Sequence, residues 1–203
     1  MPSAEPDRSR ILRPIALLAL ALGAILLALV ASRADGAPSA AAPASDHAGS
    51  PICVSCHAAE GAAWARSHHA HAMDHARPET MRGDFSGVVV RGAGTAARFF
   101  REGDLYRVET EGKDGRSAPF TISHSLGWEP LQQYLVTLPD GRIQTLPWAW
   151  DTRPTSEGGQ RWFLVYGEER IAPGDSRHWT RLQQNWNHMC AECHTTGFVK
   201  GYY

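Results

Sequence analysis

Polar and apolar positions divide this chain into distinct stretches. Arg8, Arg10 and Arg13 precede a run from Ile15 to Ala31 that has no charge and no strongly polar side chain. A basic flank followed by an apolar run is the pattern of an export signal or a membrane anchor. Ser32-Arg33-Ala34 supplies small residues for cleavage, so residues 1–34 are expected to be a signal peptide or an anchor. The arginines lie before the run, which places the remainder on the non-cytoplasmic side. The expected location is therefore periplasmic, or the outer face of the cytoplasmic membrane. Residues 35–50 are mostly Ala, Pro, Ser and Gly, a composition that buries little and reads as a flexible linker. A folded domain is expected over 51–203.

Within that domain the pattern changes twice. Ala58 to Met73 is rich in alanine and favours helix, with a break or turn expected at Gly61. From Phe85 to Leu146 the runs Val88-Val89-Val90, Arg98-Phe99-Phe100 and Leu105-Tyr106-Arg107-Val108 favour strand. Glu102-Gly103-Asp104 and Pro139-Asp140-Gly141 are turn signals between such runs and predict two hairpins. Gly158-Gly159 and Pro173-Gly174 mark loops. Trp179 to Met189 is again compatible with helix. The predicted fold class is α+β: helical segments flank a small antiparallel β-section, preceded by an N-terminal apolar helix.

Composition narrows the chemistry. The formal net charge of −1 over 203 residues gives no electrostatic ground for a nucleic-acid partner. The four cysteines fall in Cys53-Val54-Ser55-Cys56-His57 and Cys190-Ala191-Glu192-Cys193-His194. Cys-x-x-Cys-His is the signature of covalent c-type haem attachment. Its spacing lets two thiols add to the haem vinyl groups while the adjacent histidine reaches the iron from the same side. Two covalent haems c are therefore expected, held by Cys53, Cys56, Cys190 and Cys193, with His57 and His194 as proximal ligands. The helical segments of the predicted fold would then be the haem-bearing ones. A structural zinc module built from four thiolates is the competing reading, but it leaves both histidines without a role. A thioredoxin-like redox pair needs a βαβ context that the pattern lacks.

The other iron ligands are less constrained. Ser67-His68-His69-Ala70-His71-Ala72-Met73-Asp74-His75 concentrates candidates, and on a helix His69 shares a face with Met73, as His71 does with His75. A straight helix would hold His69 about 18 Å from His57, so it serves the same haem only if the chain folds back. His124, His178 and His188 remain as alternatives. His178 precedes Cys190 by the same interval as His69 follows His57. The seven tryptophans read as packing for a core or a haem pocket.

Several longer segments carry a resemblance. They are Ser67-His68-His69 through Met73, Gly83-Asp84-Phe85, Pro130 to Leu135, Leu146-Pro147 with Trp150-Asp151, Gly158 to Phe163, and His178-Trp179-Thr180. The most specific is Gln184-Asn185-Trp186-Asn187-His188-Met189 running into the second motif. Together they resemble the multihaem c-type cytochromes with a cytochrome c-552/4-type domain. The resemblance implies electron transfer between exported or membrane partners through mainly bis-histidine haems. It favours His69 and His178 as the further iron ligands and ranks His124 lower. Relatives continue into further haem motifs, so it also implies a C-terminally incomplete member. Expected partners are redox proteins or quinol-linked membrane complexes, with the membrane itself a partner if the N-terminal segment is uncleaved. The alternatives are the haem domain of a redox enzyme acting on a small nitrogen or oxygen species, and an exported structural zinc module.

Overall fold

The computed structural model describes residues 48–196 and 198. The N-terminal apolar run and nearly all of the linker lie outside the described residues. Among the described residues no helix is long and apolar enough to cross a membrane.

Strand dominates. β1 (Met73–His75), β2 (Ser86–Gly92), β3 (Thr95–Glu102), β4 (Leu105–Glu111), β5 (Ser117–Leu126), β6 (Leu131–Thr137), β7 (Ile143–Asp151) and β8 (Arg161–Leu164) form one eight-stranded sheet. β2 to β8 pair in sequence order, each antiparallel to the next. β1 pairs with the far end of β5, continuing the edge that β4 covers over its first half. The expected α+β fold with a small β-section is thus corrected to a mainly antiparallel β fold. The expected strand runs and both turn signals lie where the sequence puts them. The hairpins extend into one continuous meander, because Trp148, Trp150 and Trp162 continue the strand pattern beyond Leu146.

The sheet curls toward a closed barrel. At Gly92 of β2 an added Cβ would lie 2.9 Å from Leu164 Cδ1 of β8, so glycine permits the two end strands to approach. Approach of the ends shields edges that would otherwise present unpaired backbone groups. On β4, Tyr106, Val108 and Thr110 are buried and alternate with more exposed neighbours, the period-two pattern of a strand with one face inward. Phe85 sits in an aromatic cage, edge-on to Phe99, Tyr106, Tyr134 and Trp162. Trp162 stacks flat on Phe99 with ring centroids 3.6 Å apart. Its Nε1 donates to Asp84 O at 3.2 Å. These rings, with Leu146, Trp148 and Trp150, make the main core.

The helices are short. α1 (Ser50–Val54) and α2 (Ala58–Ala65) precede the sheet; α3 (Trp186–Met189) and α4 (Ala191–His194) follow it. The helix expected through Met73 ends at Ala65, where Ser67 Oγ takes the Trp64 carbonyl at 2.7 Å. The His-rich stretch that follows has weaker helix propensity and forms turns before β1. Gly61 does not break α2. A Cβ there would lie 2.5 Å from Val54 Cγ2, so glycine lets α2 pack onto α1, and the reversal falls at Ser55-Cys56-His57. The run from Trp179 to Met189 is not one continuous α-helix. Gln144 Nε2 of β7 donates to the Trp179 and Arg181 carbonyls at 2.7 and 2.9 Å. These bonds draw the segment along the barrel, where Leu182–Gln184 form a 3-10 turn and α3 follows.

Candidate haem sites

Both Cys-x-x-Cys-His motifs adopt the same backbone turn. In the first, the amides of Cys56 and His57 donate to Cys53 O at 3.2 and 2.9 Å. In the second, those of Cys193 and His194 donate to Cys190 O at 3.1 and 3.0 Å. One turn of backbone therefore carries both cysteines and the histidine of each motif. None of the four cysteines is in a disulfide.

The first turn joins α1 to α2, and neither helix buries a side chain. Ile52 is 64% exposed and Trp64 54%, high for such large apolar groups. Beside Trp64 lies a mainly apolar cavity of about 540 Å³ lined by Cys53, Val54, His57, Glu60, Gly61 and Thr196. That volume falls in the range of cofactor sites, roughly 300–1,000 Å³. The residues thus fit a large flat apolar group held by thiols and an imidazole. Thr196 follows the second motif, so the end of that motif contributes to the wall of the first site.

The second turn is anchored differently. Trp186 and Ala191 are buried with Leu135 on the outer face of the barrel, and Met73, Leu126, Ile143 and Cys190 pack against them. Asn185 caps α3, accepting from His188 N at 2.9 Å, and its amide donates to Gln144 Oε1 at 2.7 Å. Asn187 Oδ1 accepts from Ile143 N at 2.7 Å. Burial first, then the neighbouring Cys193, pushes the Cys190 thiol pKa up. Cys193 and His194 remain exposed. Trp186 Nε1 is buried without a protein acceptor, an unsatisfied donor beside this motif. The chemistry of the donor set fits haem here as well: two thiols and an imidazole on one turn, backed by an apolar floor.

The further ligand candidates separate. His69 is exposed in the turns between α2 and β1. It lies four residues before Met73, which packs in the same cluster as Cys190. The His-rich stretch therefore leads from the first site toward the second. His178 is 4% exposed, with Nδ1 2.9 Å from Thr180 Oγ1. Burial lowers its pKa, opposed by the Glu111 carboxylate. The small cavity it lines, about 30 Å³, is walled by residues such as Glu111 and Arg170 and by none of either motif. His71 stacks on Trp128 at 4.2 Å and pairs with Asp74 at 2.8 Å, while Arg82 lies 4.5 Å over the same indole. Among the described residues no three His, Cys, Asp or Glu side chains gather as metal ligands. The four cysteines accordingly form two separate pairs, with no common zinc cage.

Residues 52–90 match the family model described as cytochrome c554 and c-prime. The match supports a c-type cytochrome at the level of class, and it spans the first motif and the His-rich stretch. No curated protein matches the chain, and no solved structure does.

Two anchoring residues lie outside both Cys-x-x-Cys-His motifs. Gln132 of β6, fully buried, donates to Thr80 O and Gly127 O at 2.9 and 3.1 Å and accepts from Arg82 N at 2.9 Å. Gln144 of β7 does the same for the segment leading to the second motif. Each ties one arm to the barrel through three hydrogen bonds. Their polar side chains at inward strand positions were the available signal. Replacing Gln144 with Met keeps the volume but leaves the Trp179 carbonyl and the Asn185 amide without these partners, while Arg181 O keeps only Gln184 N–H. A loss on the order of 3 kcal/mol is expected, read as a lower urea midpoint with an unchanged slope.

Proposed function

We propose that this chain is an exported electron-transfer c-type cytochrome carrying two covalent haems. The reading rests on one observation above all: two turns with the same backbone hydrogen bonds, each carrying two cysteines and the histidine that follows them. Haem supplies one-electron chemistry at a potential tuned by ligands and burial. Cys53 and Cys56, and Cys190 and Cys193, would hold the two groups covalently. His57 and His194 would bind iron from the same side. Trp64, Val54 and Gly61 would shape the first pocket. Trp186 and Ala191 would fix the second turn to the barrel, which holds its orientation when charge changes.

His69 and His178 are kept as further iron ligands, and the chain's surroundings favour them unequally. His69 is accessible and sits on the stretch between the motifs. His178 is enclosed and already hydrogen-bonded to Thr180, so its service would require that segment to move. Redox partner proteins or quinol-linked membrane complexes would exchange the electrons. Spectra of the haem-loaded protein in both oxidation states, with and without carbon monoxide, test the carrier role. Low-spin haems that do not bind carbon monoxide are expected. Tight carbon monoxide binding by a haem in the native protein would refute a purely six-coordinate carrier.

A further inference from the structure

Away from both turns, β1 and β5 bring two histidines face to face. His75 and His124 are direct partners in the antiparallel register. Their ring centroids lie 4.6 Å apart with planes tilted by 34°. The backbone holds the pair in place: Thr80 Oγ1 donates to His75 O at 2.6 Å, and β1 is continuous with the sheet.

One ring nitrogen of His124 is held by a hydrogen bond to its neighbour Ser123. Ser123 Oγ donates to Leu135 O at 3.2 Å, and its oxygen lies 3.0 Å from His124 Nδ1. Thr137 Oγ1 lies 2.8 Å from the same hydroxyl. When Ser123 gives its one proton to Leu135 O or Thr137 Oγ1, its oxygen accepts from His124 Nδ1–H and Nε2 keeps the lone pair that binds a metal. Burial, with help from the neighbouring His75, also lowers the His124 pKa and favours the neutral ring. His75 is exposed, so an ion can reach the pair from solvent.

We propose that His75 and His124 form a two-histidine chelate for a divalent transition-metal ion such as Zn²⁺. Imidazole nitrogens suit such ions at about 2.0–2.1 Å, and water completes the coordination, since no third described ligand gathers there. The chelate is distinct from the haem turns and uses neither His69 nor His178. Two preplaced rings on one sheet face give the second nitrogen a high effective concentration once the first has bound.

Isothermal titration of Zn²⁺ into the haem-loaded full chain at neutral pH tests this. One bound ion is expected, weakened at least about tenfold by His75→Asn and by His124→Asn, and unaffected by His68→Asn. The haem spectrum should stay the same in all three variants. Absence of zinc binding, or binding that survives both substitutions, would overturn the proposal. A change to high-spin haem in either variant would also overturn it, by making that ring an iron ligand. Should a variant fold poorly, the native chain decides the matter: zinc should protect His75 and His124 from diethylpyrocarbonate, read by peptide mass, and unprotected rings would overturn the proposal. Free thiols, in a chain without haem, would add zinc sites that these histidine substitutions leave intact.

Discussion

Replacing both cysteines of the first turn, Cys53→Ser with Cys56→Ser, is expected to abolish covalent haem at that site while the second site stays loaded. Thioether attachment needs the sulfurs, and hydroxyls do not add to haem vinyl groups under the same maturation. Little else could retain the group: α1 and α2 bury no side chain of their own, and the cavity is walled on few sides. The complementary variant, Cys190→Ser with Cys193→Ser, is expected to leave only the first haem. Its turn should keep its place, because Trp186, Asn185 and Asn187 anchor it through the barrel and not through the sulfurs. Haem staining of denatured protein reads both results directly, with each double variant at half the wild-type signal. A full signal from either variant would detach the haem from the motif assigned to it.

Trp162→Ala is expected to have the largest effect on the barrel itself, a loss of about 3–5 kcal/mol. The indole stacks on Phe99, meets Phe85, Trp150 and Tyr134, and donates to Asp84 O. Removing it opens a cavity among rings that are themselves fixed by their neighbours, so collapse is limited. It also leaves the Asp84 carbonyl without this donor, which adds to the cost. A marginally stable domain has about 5–15 kcal/mol to lose, so much of the population could unfold at 37 °C. Chemical denaturation of the haem-loaded wild type and variant measures the difference. A midpoint that barely moves would mean the aromatic core is less decisive than its geometry indicates.

The strands and their turns were legible because they are local. Tyr106-Arg107-Val108 alternates by twos, and Gly103 and Gly141 adopt the positive φ that their turns require. The extent of the sheet was not legible, since its closure depends on Gly92 meeting Leu164 across the barrel. Helix propensity misled where tertiary hydrogen bonds prevailed. Trp179 to Met189 has the residues of a helix, yet Gln144 takes the Trp179 carbonyl and the run breaks into a 3-10 turn and the single turn of α3. Alanine content similarly extended α2 past Ala65, where Ser67 closes it. At the sites, the two motifs were evident from spacing alone. The value of Asn185, Trp186 and Asn187 was visible only as an unusual string until the sheet supplied their partners. The pairing of His75 with His124 requires a strand register that neither histidine announces.

Two covalent haems, one on each turn, are the central proposal, and one direct measurement tests it. Full-length protein should be produced with a c-type haem maturation system, denatured, and weighed by intact mass spectrometry. The expected mass is that of the polypeptide, with or without its N-terminal segment, plus two haems. A mass with no haem, or with one haem only in fully matured protein, would contradict it.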